Sequence, residues 1–398
     1  MGTNLNLDIH QFADDTTLAE VIDSPIISIN RINEDLATLA IWAEKWRVTF
    51  NAAKTHFLRI SYKHKKPVLD KIYLNGTEIS EVQSCVNLGL TINNRLTWDD
   101  HVNNLTTRAN KRLNILSRYR SIFPRSALEK LYKTMVRPIL EYCDIIYDNC
   151  PVKTSITVER VQRRAAIICT GAYRHTENQR LLQDLGWEAM SQRRHNHKLV
   201  QLYKIINKIY PDYLYDLLTP TQNTTYNLRN IHQFQPRRSR LKSSTNSFFP
   251  ASVRAWNQLP AYTRNATSLN LFKSKVQSNL KPSLYNTLCT GKYGIQLTRL
   301  RLGLSALNAH RFRYNFIESP NCNHCNQSET THHYFFVCPS YPDARLTLLN
   351  RLSTELDLNL NDKNILLQIM LHGIMETRHY PLLLEIIYEY IAATDRFR

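Results

Sequence analysis

Leu5, Leu7 and Ile9 alternate with polar residues near the start of the chain, and Thr16 to Ile22 is strand-prone again. The stretch between them, Gln11-Phe12-Ala13-Asp14-Asp15-Thr16-Thr17, reads as the tip of a β-hairpin. Ile29, Ile32, Leu36, Leu39, Ala43 and Trp46 then recur at alternating steps of three and four. This predicts an amphipathic helix over 28–47 with Ser28 as its N-cap. A strand from His56 to Tyr62 follows. Residues 63–98 read as short strands and turns, with Asn75-Gly76 a two-residue hairpin signal. From Asp99 the period is helical. Val102, Leu105, Ala109, Leu113 and Leu116 line one face; Leu128, Leu131, Met135 and Ile139 line a second helix over 125–148, which Pro138 must kink or break; Val158, Val161, Ala165 and Ile168 line a third. One further helix is predicted from Leu181 to Tyr215. Pro220, Pro236, Pro250 and Pro260 then mark 219–265 as a linker or a packed, extended strap. Helix returns at Ser268–Asn279 and at 296–317, and two or three helices after Tyr341 end the chain. The class is α+β, mostly α.

Composition adds a partner. Lys and Arg number 51 against 33 acids, a formal charge of +18 over 398 residues. Folded chains this basic bind polyanions, nucleic acid first. Arg108, Lys111 and Arg112 crowd the polar side of the first long helix, and Arg160, Arg163 and Arg164 that of the third. Helices with one apolar and one basic side suit a duplex, the arginines neutralising phosphates without reading sequence. A solvated charged face is the alternative. The eight cysteines form no disulfide framework, no leader is evident, and no apolar run reaches the length of a membrane span. The expectation is an intracellular protein of the cytoplasm or nucleus, not secreted. Asn6 stands where a Ser or Thr would complete a myristoylation signal with Gly2.

Two clusters carry candidate chemistry. Asp14 and Asp15 sit where the chain must turn, the one place adjacent side chains can serve a common site, because neighbours on a strand point to opposite faces. Paired exposed carboxylates suit Mg²⁺, which takes hard oxygen ligands. An ordinary Asp-rich turn is the other reading. Near the C-terminus, Cys322-x-x-Cys325 is followed after seven residues by His333 and after four more by Cys338. Three thiolates and an imidazole at these steps can close a tetrahedral, structural Zn²⁺ site with no open position. His332 is the rival ligand, and a chance grouping of buried cysteines is the other explanation.

The Phe-Ala-Asp-Asp box with a strand on either side resembles the metal-binding motif of reverse transcriptases, and other segments extend the likeness. Asn51-Ala52-Ala53-Lys54-Thr55 resembles the segment that follows this motif in retroelement enzymes. Val86 to Ile92, with Leu96-Thr97-Trp98 and His101, is similar to the "Leu-Gly" primer-grip hairpin of non-LTR retrotransposons. Residues 131–142 and 161–165 resemble the thumb of jockey-like enzymes, and 236–240, 247–250 and 256–260 resemble segments found near that place. The Cys-Cys-His-Cys element, with Glu329-Thr330 before His333 and Pro339 after Cys338, matches the element near the C-terminus of these enzymes.

The resemblance implies RNA-directed DNA synthesis on an RNA template and a DNA primer. It implies a partial polymerase palm over 1–62, primer-grip-like strands over 63–98 and a helical thumb over 99–218. The Pro-rich strap or linker covers 219–265 and basic helices 266–318. A zinc knuckle spans 319–341, with helices 342–398 covering it. Asp14 and Asp15 would hold Mg²⁺, and Lys54 would lie near the nucleotide's phosphates; a solvated lysine at a strand entrance is the alternative. In the family another Asp comes from a strand well before the hairpin, and ten residues precede Gln11. The expectation is therefore a piece of the polymerase that does not polymerise alone. The alternatives are a non-catalytic nucleic-acid-binding module and a decayed open reading frame.

Overall fold

The computed structural model describes residues 5–221, 234–277 and 280–397, which fall into two compact units, Met1–His101 and Val102–Arg398. The first unit is a set of hairpins around one helix. β1 (Asp8–Phe12) and β2 (Asp15–Ala19) pair antiparallel with Phe12 opposite Asp15, so the connection is Ala13-Asp14 alone. The helix α1 (Pro25–Trp46) begins three residues before Ser28: Ser24 is the N-cap and Pro25 occupies the first turn. Proline there loses no helical hydrogen bond and arrives with helical φ. Ser28 is instead buried inside the helix. Ile29, Leu36, Leu39 and Ala43 are buried as the spacing predicts, whereas Trp46 is 63% exposed at the helix end.

α1 packs on β3 (Ile72–Leu74) and β4 (Thr77–Ile79) through Ile29, Leu36, Ile72, Leu74 and Ile79. Asn75 and Gly76 take φ of 49° and 72°, the double left-handed pair that a two-residue hairpin with the natural strand twist requires. β5 (Ser84–Asn87) and β6 (Leu90–Asn93) turn the same way at Leu88-Gly89. No strand forms over 56–62. Phe57 makes one parallel bridge to Glu81, and Arg59 holds the Glu81 carboxylate through Nε and Nη2 (3.1 and 3.0 Å).

α2 (Asp99–Arg118) enters the second unit. All five of its predicted apolar positions are buried. The stretch over 125–148 divides into α3 (Arg125–Leu131), a π-helical turn (Tyr132–Val136), α4 (Arg137–Glu141) and α5 (Asp144–Tyr147). The wider turn moves the buried stripe to Leu128, Tyr132, Val136 and Leu140, and leaves Met135 42% exposed. Pro138 lies in the first turn of α4, and the sharp break falls at Cys143, at φ 55°. α6 (Val152–Thr170) carries its predicted stripe.

The single helix expected over 181–215 is three: α7 (Asn178–Leu185), α8 (Met190–Ile206) and α9 (Asp212–Tyr215). Gly186 ends α7 at φ +61°, and an added Cβ would lie 2.3 Å from Pro282 N, so this turn admits only glycine. The strap is also corrected where it is described; its residues 222–233 lie outside the described set. After the short pair β7 (Thr219–Pro220) and β8 (Phe234–Gln235) it is helical: α10 (Lys242–Thr245), α11 (Phe248–Gln258) and α12 (Ala261–Arg264). Pro250 stands in the first turn of α11, where proline is tolerated, and Pro260 follows its end. Trp256 is buried against Tyr203 and Phe272 of α13 (Leu269–Val276), which Ser268 caps through its hydroxyl; the predicted end of this helix at 278–279 lies outside the described residues.

The last core is aromatic. After α14 (Leu284–Leu288), two helices, α15 (Gly291–Arg301) and α16 (Asn308–Arg313), stand where one helical stretch is expected over 296–317. α14 and α15, with α17 (Pro342–Thr354), α18 (Lys363–His372) and α19 (Tyr380–Thr394), enclose Tyr334, Phe335 and Phe336. Buried charges tie the unit together. Asp184 pairs with Arg125 (2.7 Å) and Arg301 (2.8 Å), and all three side chains are at most 4% exposed.

Candidate metal centre and basic faces

The turn at Cys322 is fixed by its own backbone. Cys322 N–H donates to Gln327 O (2.7 Å), Asn326 N–H donates to Cys322 O (3.0 Å), and Asn326 takes φ 55°, which asparagine tolerates. These bonds fold Cys325 back beside Cys322. The other two ligands bracket a π-helical turn, His333–Val337, in which Cys338 N–H donates to His333 O (2.9 Å). That bond draws His333 and Cys338 together while the three aromatic residues between them enter the core.

The result is a cluster of Cys322, Cys325, His333 and Cys338, with one ligand atom of each within 4.8 Å of all the others. The Cys322 and Cys338 sulfurs are 3.8 Å apart, and Cys325 Sγ lies 3.0 Å from His333 Nε2. Two sulfurs on one tetrahedral zinc lie about 3.8 Å apart, given Zn–S of about 2.3 Å. The donor set therefore fits a metal ion. Burial holds the His333 imidazole below its usual pKa, so it is neutral and able to ligate. Burial pushes the Cys322 thiol up, but the His324 and Cys325 amides and the neighbouring thiols outweigh it and lower the pKa. His332 is not in the cluster; its ring lies against Phe336, 5.3 Å between centroids.

A second carboxylate–guanidinium pair braces the site. Glu329, 4% exposed, accepts from both Nε and Nη2 of Arg396 (2.7 Å each) and from Asn308 N–H (2.7 Å). Tyr334 OH bonds Thr394 Oγ1 (2.6 Å), and Tyr390 OH donates to Tyr334 O (2.6 Å). The C-terminal helix and Arg396 after it are thus bonded to Tyr334 and Glu329, in the segment that carries His333. The roles of Glu329 and Arg396 could not be read from spacing, since they are 67 residues apart.

Asp14 and Asp15 lie at the hairpin tip, Asp14 in the turn and Asp15 opening β2, both exposed. Ala13 before them has φ 52°, a left-handed conformation that costs a residue with a Cβ about 1 kcal/mol or more. The hairpin is held from behind by a residue the sequence did not flag. Asp35, 1% exposed on α1, accepts from the backbone N–H of Asn6 and of Leu7 (2.8 Å each). Its signal was an acid set in an apolar stripe. Lys54 ends an exposed helical turn capped by Asn51, whose Oδ1 accepts from Lys54 N–H (3.2 Å).

The basic residues divide. Arg108, Lys111, Arg112 and Arg160 are exposed. Arg163 is half-buried and donates to Thr176 O (2.8 Å) and Arg174 O. Arg164 donates to Asn110 Oδ1 (2.9 Å) and Asn114 Oδ1, pinning α6 to α2. No helix among the described residues is long and apolar enough to cross a membrane.

With this geometry in place, the chain was compared with known proteins. It is 27% identical over 139 residues to the RNA-directed DNA polymerase from mobile element jockey of Drosophila melanogaster, covering 34% of this chain and 15% of that protein. It is 25% identical over 190 residues to the probable RNA-directed DNA polymerase from transposon BS of the same organism (47% and 21%). The chain resembles part of a retrotransposon RNA-directed DNA polymerase. A third such enzyme, the probable RNA-directed DNA polymerase from transposon X-element of Drosophila melanogaster, is 25% identical over 150 residues (36% and 16%). The matched segments thus span between 15 and 21% of these polymerases. No family model and no solved structure matches the chain.

Proposed function

We propose that this chain serves RNA-directed DNA synthesis as the part that holds the nucleic acid, and that by itself it does not extend a primer. The observation that carries this reading is the acid pair on a strained two-residue turn, in a chain similar to three such polymerases. The hairpin, α1 and the strands behind it are assigned to part of a palm, β5–β6 to a primer grip, and α2 to α8 to a thumb. Asp14 and Asp15 supply two carboxylates for Mg²⁺, and Lys54 attends phosphate. When bound, such ions bring the attacking and leaving oxygens together and offset their charge. Two exposed carboxylates are a partial ligand set for that task, so synthesis requires carboxylates from further protein. The exposed apolar surface of the first unit agrees with a covered role: Phe12, Val21, Ile26, Ile41 and Trp46 are all more than 60% exposed.

Arg108, Lys111, Arg112 and Arg160 are assigned to phosphates of the template–primer duplex. Arg163 and Arg164 act through the fold, setting α6 against α2. Cys322, Cys325, His333 and Cys338 hold Zn²⁺ as a structural ion, four protein ligands leaving no position for substrate.

A primer-extension assay with Mg²⁺, run beside a template–primer binding assay on the purified chain, tests the reading. The expected result is binding without incorporation. Incorporated nucleotide overturns the claim that the chain is inactive alone, and absence of binding overturns the proposal.

A further inference from the structure

α19 carries apolar residues on more than the side that faces its core. Leu383, Ile386, Ile387, Tyr390 and Ile391 are buried in the aromatic core. A second stripe, Pro381, Leu384, Tyr388 and Ala392, follows at steps of three and four on a neighbouring side. A helix that is apolar all round is ordinarily buried all round. Here the second stripe instead lines a groove of about 460 Å³, shared with Leu288 of α14 and Tyr293 of α15. Leu288 is 39% exposed, and Tyr293 meets Tyr388 with 6.3 Å between ring centroids.

The groove is acidic at its edge. Glu385 and Glu389 also line it, one helical turn apart, with side chains 60% and 54% exposed. With Glu355 they share a single guanidinium, that of Arg351. Lys292 lies over the Tyr293 ring at 5.6 Å. Three carboxylates thus face two cations here, on a chain whose formal charge is +18. An apolar trough edged with carboxylates suits an apolar projection edged with cations.

The chain itself presents such a projection. α2 ends at Arg118, and the Ile122 and Phe123 N–H groups both donate back to Tyr119 O (3.0 and 3.1 Å), so the backbone turns sharply before α3. Tyr119, Ile122 and Phe123 stand out from this corner, 47, 71 and 41% exposed, with 6.0 Å between the Tyr119 and Phe123 ring centroids. Arg118 and Arg120 are exposed beside them. Burial lowers the pKa of the Arg299 guanidinium and Arg120 pushes it the same way, a sign that positive charge gathers at the corner. Corner and groove are both apolar, opposite in shape and opposite in charge, and neither covers the other within one chain.

We propose that the Tyr119–Phe123 corner of one copy seats in the α19 groove of a second copy. Ile122 and Phe123 enter against Leu288, Leu384 and Tyr388, and Arg118 and Arg120 meet Glu385 and Glu389. The gain is the apolar surface removed from water, and the charge pairs fix which surfaces meet. Contacts of this size give weak, reversible association, so assembly follows the concentration of the chain. Reciprocal insertion closes a two-fold pair, whereas insertion in one direction continues into a ring or filament. The inference makes no use of the nucleic-acid reading and stands or falls apart from it.

The test measures the mass of the zinc-loaded full chain, freed of nucleic acid, by sedimentation over a roughly hundredfold range of concentration at low and at high salt. The wild type is expected to grow from monomer to larger species, and to need more protein to do so at high salt. Arg118→Glu with Arg120→Glu reverses the corner, and Glu385→Lys with Glu389→Lys reverses the groove. Each pair sets like charges against each other and is expected to weaken association about tenfold or more. An equal mixture of the two reversed chains is expected to associate again, because corner and groove are then of opposite sign across the pair. Ile122→Asp, at an exposed position, is expected to disperse the assembly by spoiling its apolar part. Circular dichroism equal to wild type verifies the fold of every variant. Dispersal by both reversals with recovery in the mixture supports the inference. A wild type that stays monomeric throughout leaves the groove to a different protein and overturns it. Association that the reversals and Ile122→Asp leave unchanged, or dispersal without recovery in the mixture, overturns it as well.

Discussion

Asp184→Asn removes one negative charge from a buried group whose charges balance. Asp184 and Glu129 face Arg125 and Arg301; Arg125 also pairs with Glu129 at 2.9 Å, and all four side chains are at most 7% exposed. After the substitution Arg125 keeps Glu129. Arg301 keeps only neutral acceptors, Leu371 O at 3.3 Å and Thr298 Oγ1 at 3.2 Å. One guanidinium is then buried without a counter-charge, which costs about 3–5 kcal/mol. With a urea slope of about 3 kcal/mol per molar, suited to a unit of this size, the midpoint falls by roughly 1–2 M. Urea unfolding followed by circular dichroism measures this. Arg351→Ala is the control: its three partners, Glu355, Glu385 and Glu389, are 37–60% exposed, so the midpoint moves far less. An Asp184→Asn midpoint within 0.3 M of wild type, taken as about 1 kcal/mol on the same slope, would refute the reasoning.

Four further outcomes are expected. Gly186→Ala forces a Cβ against the Lys281–Pro282 backbone at positive φ, so it destabilises by about 2 kcal/mol or more in the same assay; a neutral effect contradicts the close approach. His310, lowered to about 4 by burial and by Arg313 and Arg180, binds its proton more readily when unfolded. Its contribution is therefore complete above pH 6.5 and is lost as pH falls towards 4, about 3 kcal/mol in all. His310→Asn flattens this slope, and parallel pH profiles for the two proteins contradict the assignment. Cys325→Ser weakens metal binding by more than the roughly 10–100-fold that loss of an outer-shell partner costs; cobalt substitution read by its thiolate charge-transfer band checks this, and an undiminished band contradicts it. Ala13→Gly relieves the left-handed strain beside Asp14 and raises stability by about 0.5–1 kcal/mol, whereas a loss argues that the turn is unstrained.

Local rules made much of this legible. The stripes of α1, α2 and α6 followed from steps of three and four, because each helix packs one face on its own unit's core. Asn75-Gly76 fixed its turn because both residues accept positive φ. The cysteine and histidine spacing pointed to the four residues that the structure brings together, Cys322, Cys325, His333 and Cys338, while His332 lies against Phe336. What escaped were effects that depend on distant partners or on small shifts of phase. The π-helical turn at Tyr132 displaces the buried stripe by one residue after Leu128, which a strict 3.6-residue period cannot foresee. Prolines in 219–265 suggested extended chain, yet Pro250 and Pro260 only mark the ends of α11. Arg163 and Arg164 look in sequence like Arg108 and Arg112, but their bonds go to Thr176 and to Asn110 and Asn114. Asp35 supports the acid hairpin from a helix 28 residues away in sequence, beyond the reach of any local pattern.

The salt dependence of template–primer binding tests the central claim most directly. Arg108, Lys111, Arg112 and Arg160 offer four exposed cations to a duplex. At about 0.9 per phosphate contact, the logarithm of the affinity should fall with the logarithm of salt at a slope of roughly −3 to −4. Replacing Arg108, Lys111 and Arg112 by alanine should reduce that slope by about 2.7, while unfolding midpoints stay at wild-type values. A wild-type slope near zero, or a slope unchanged in the triple variant, would contradict the account.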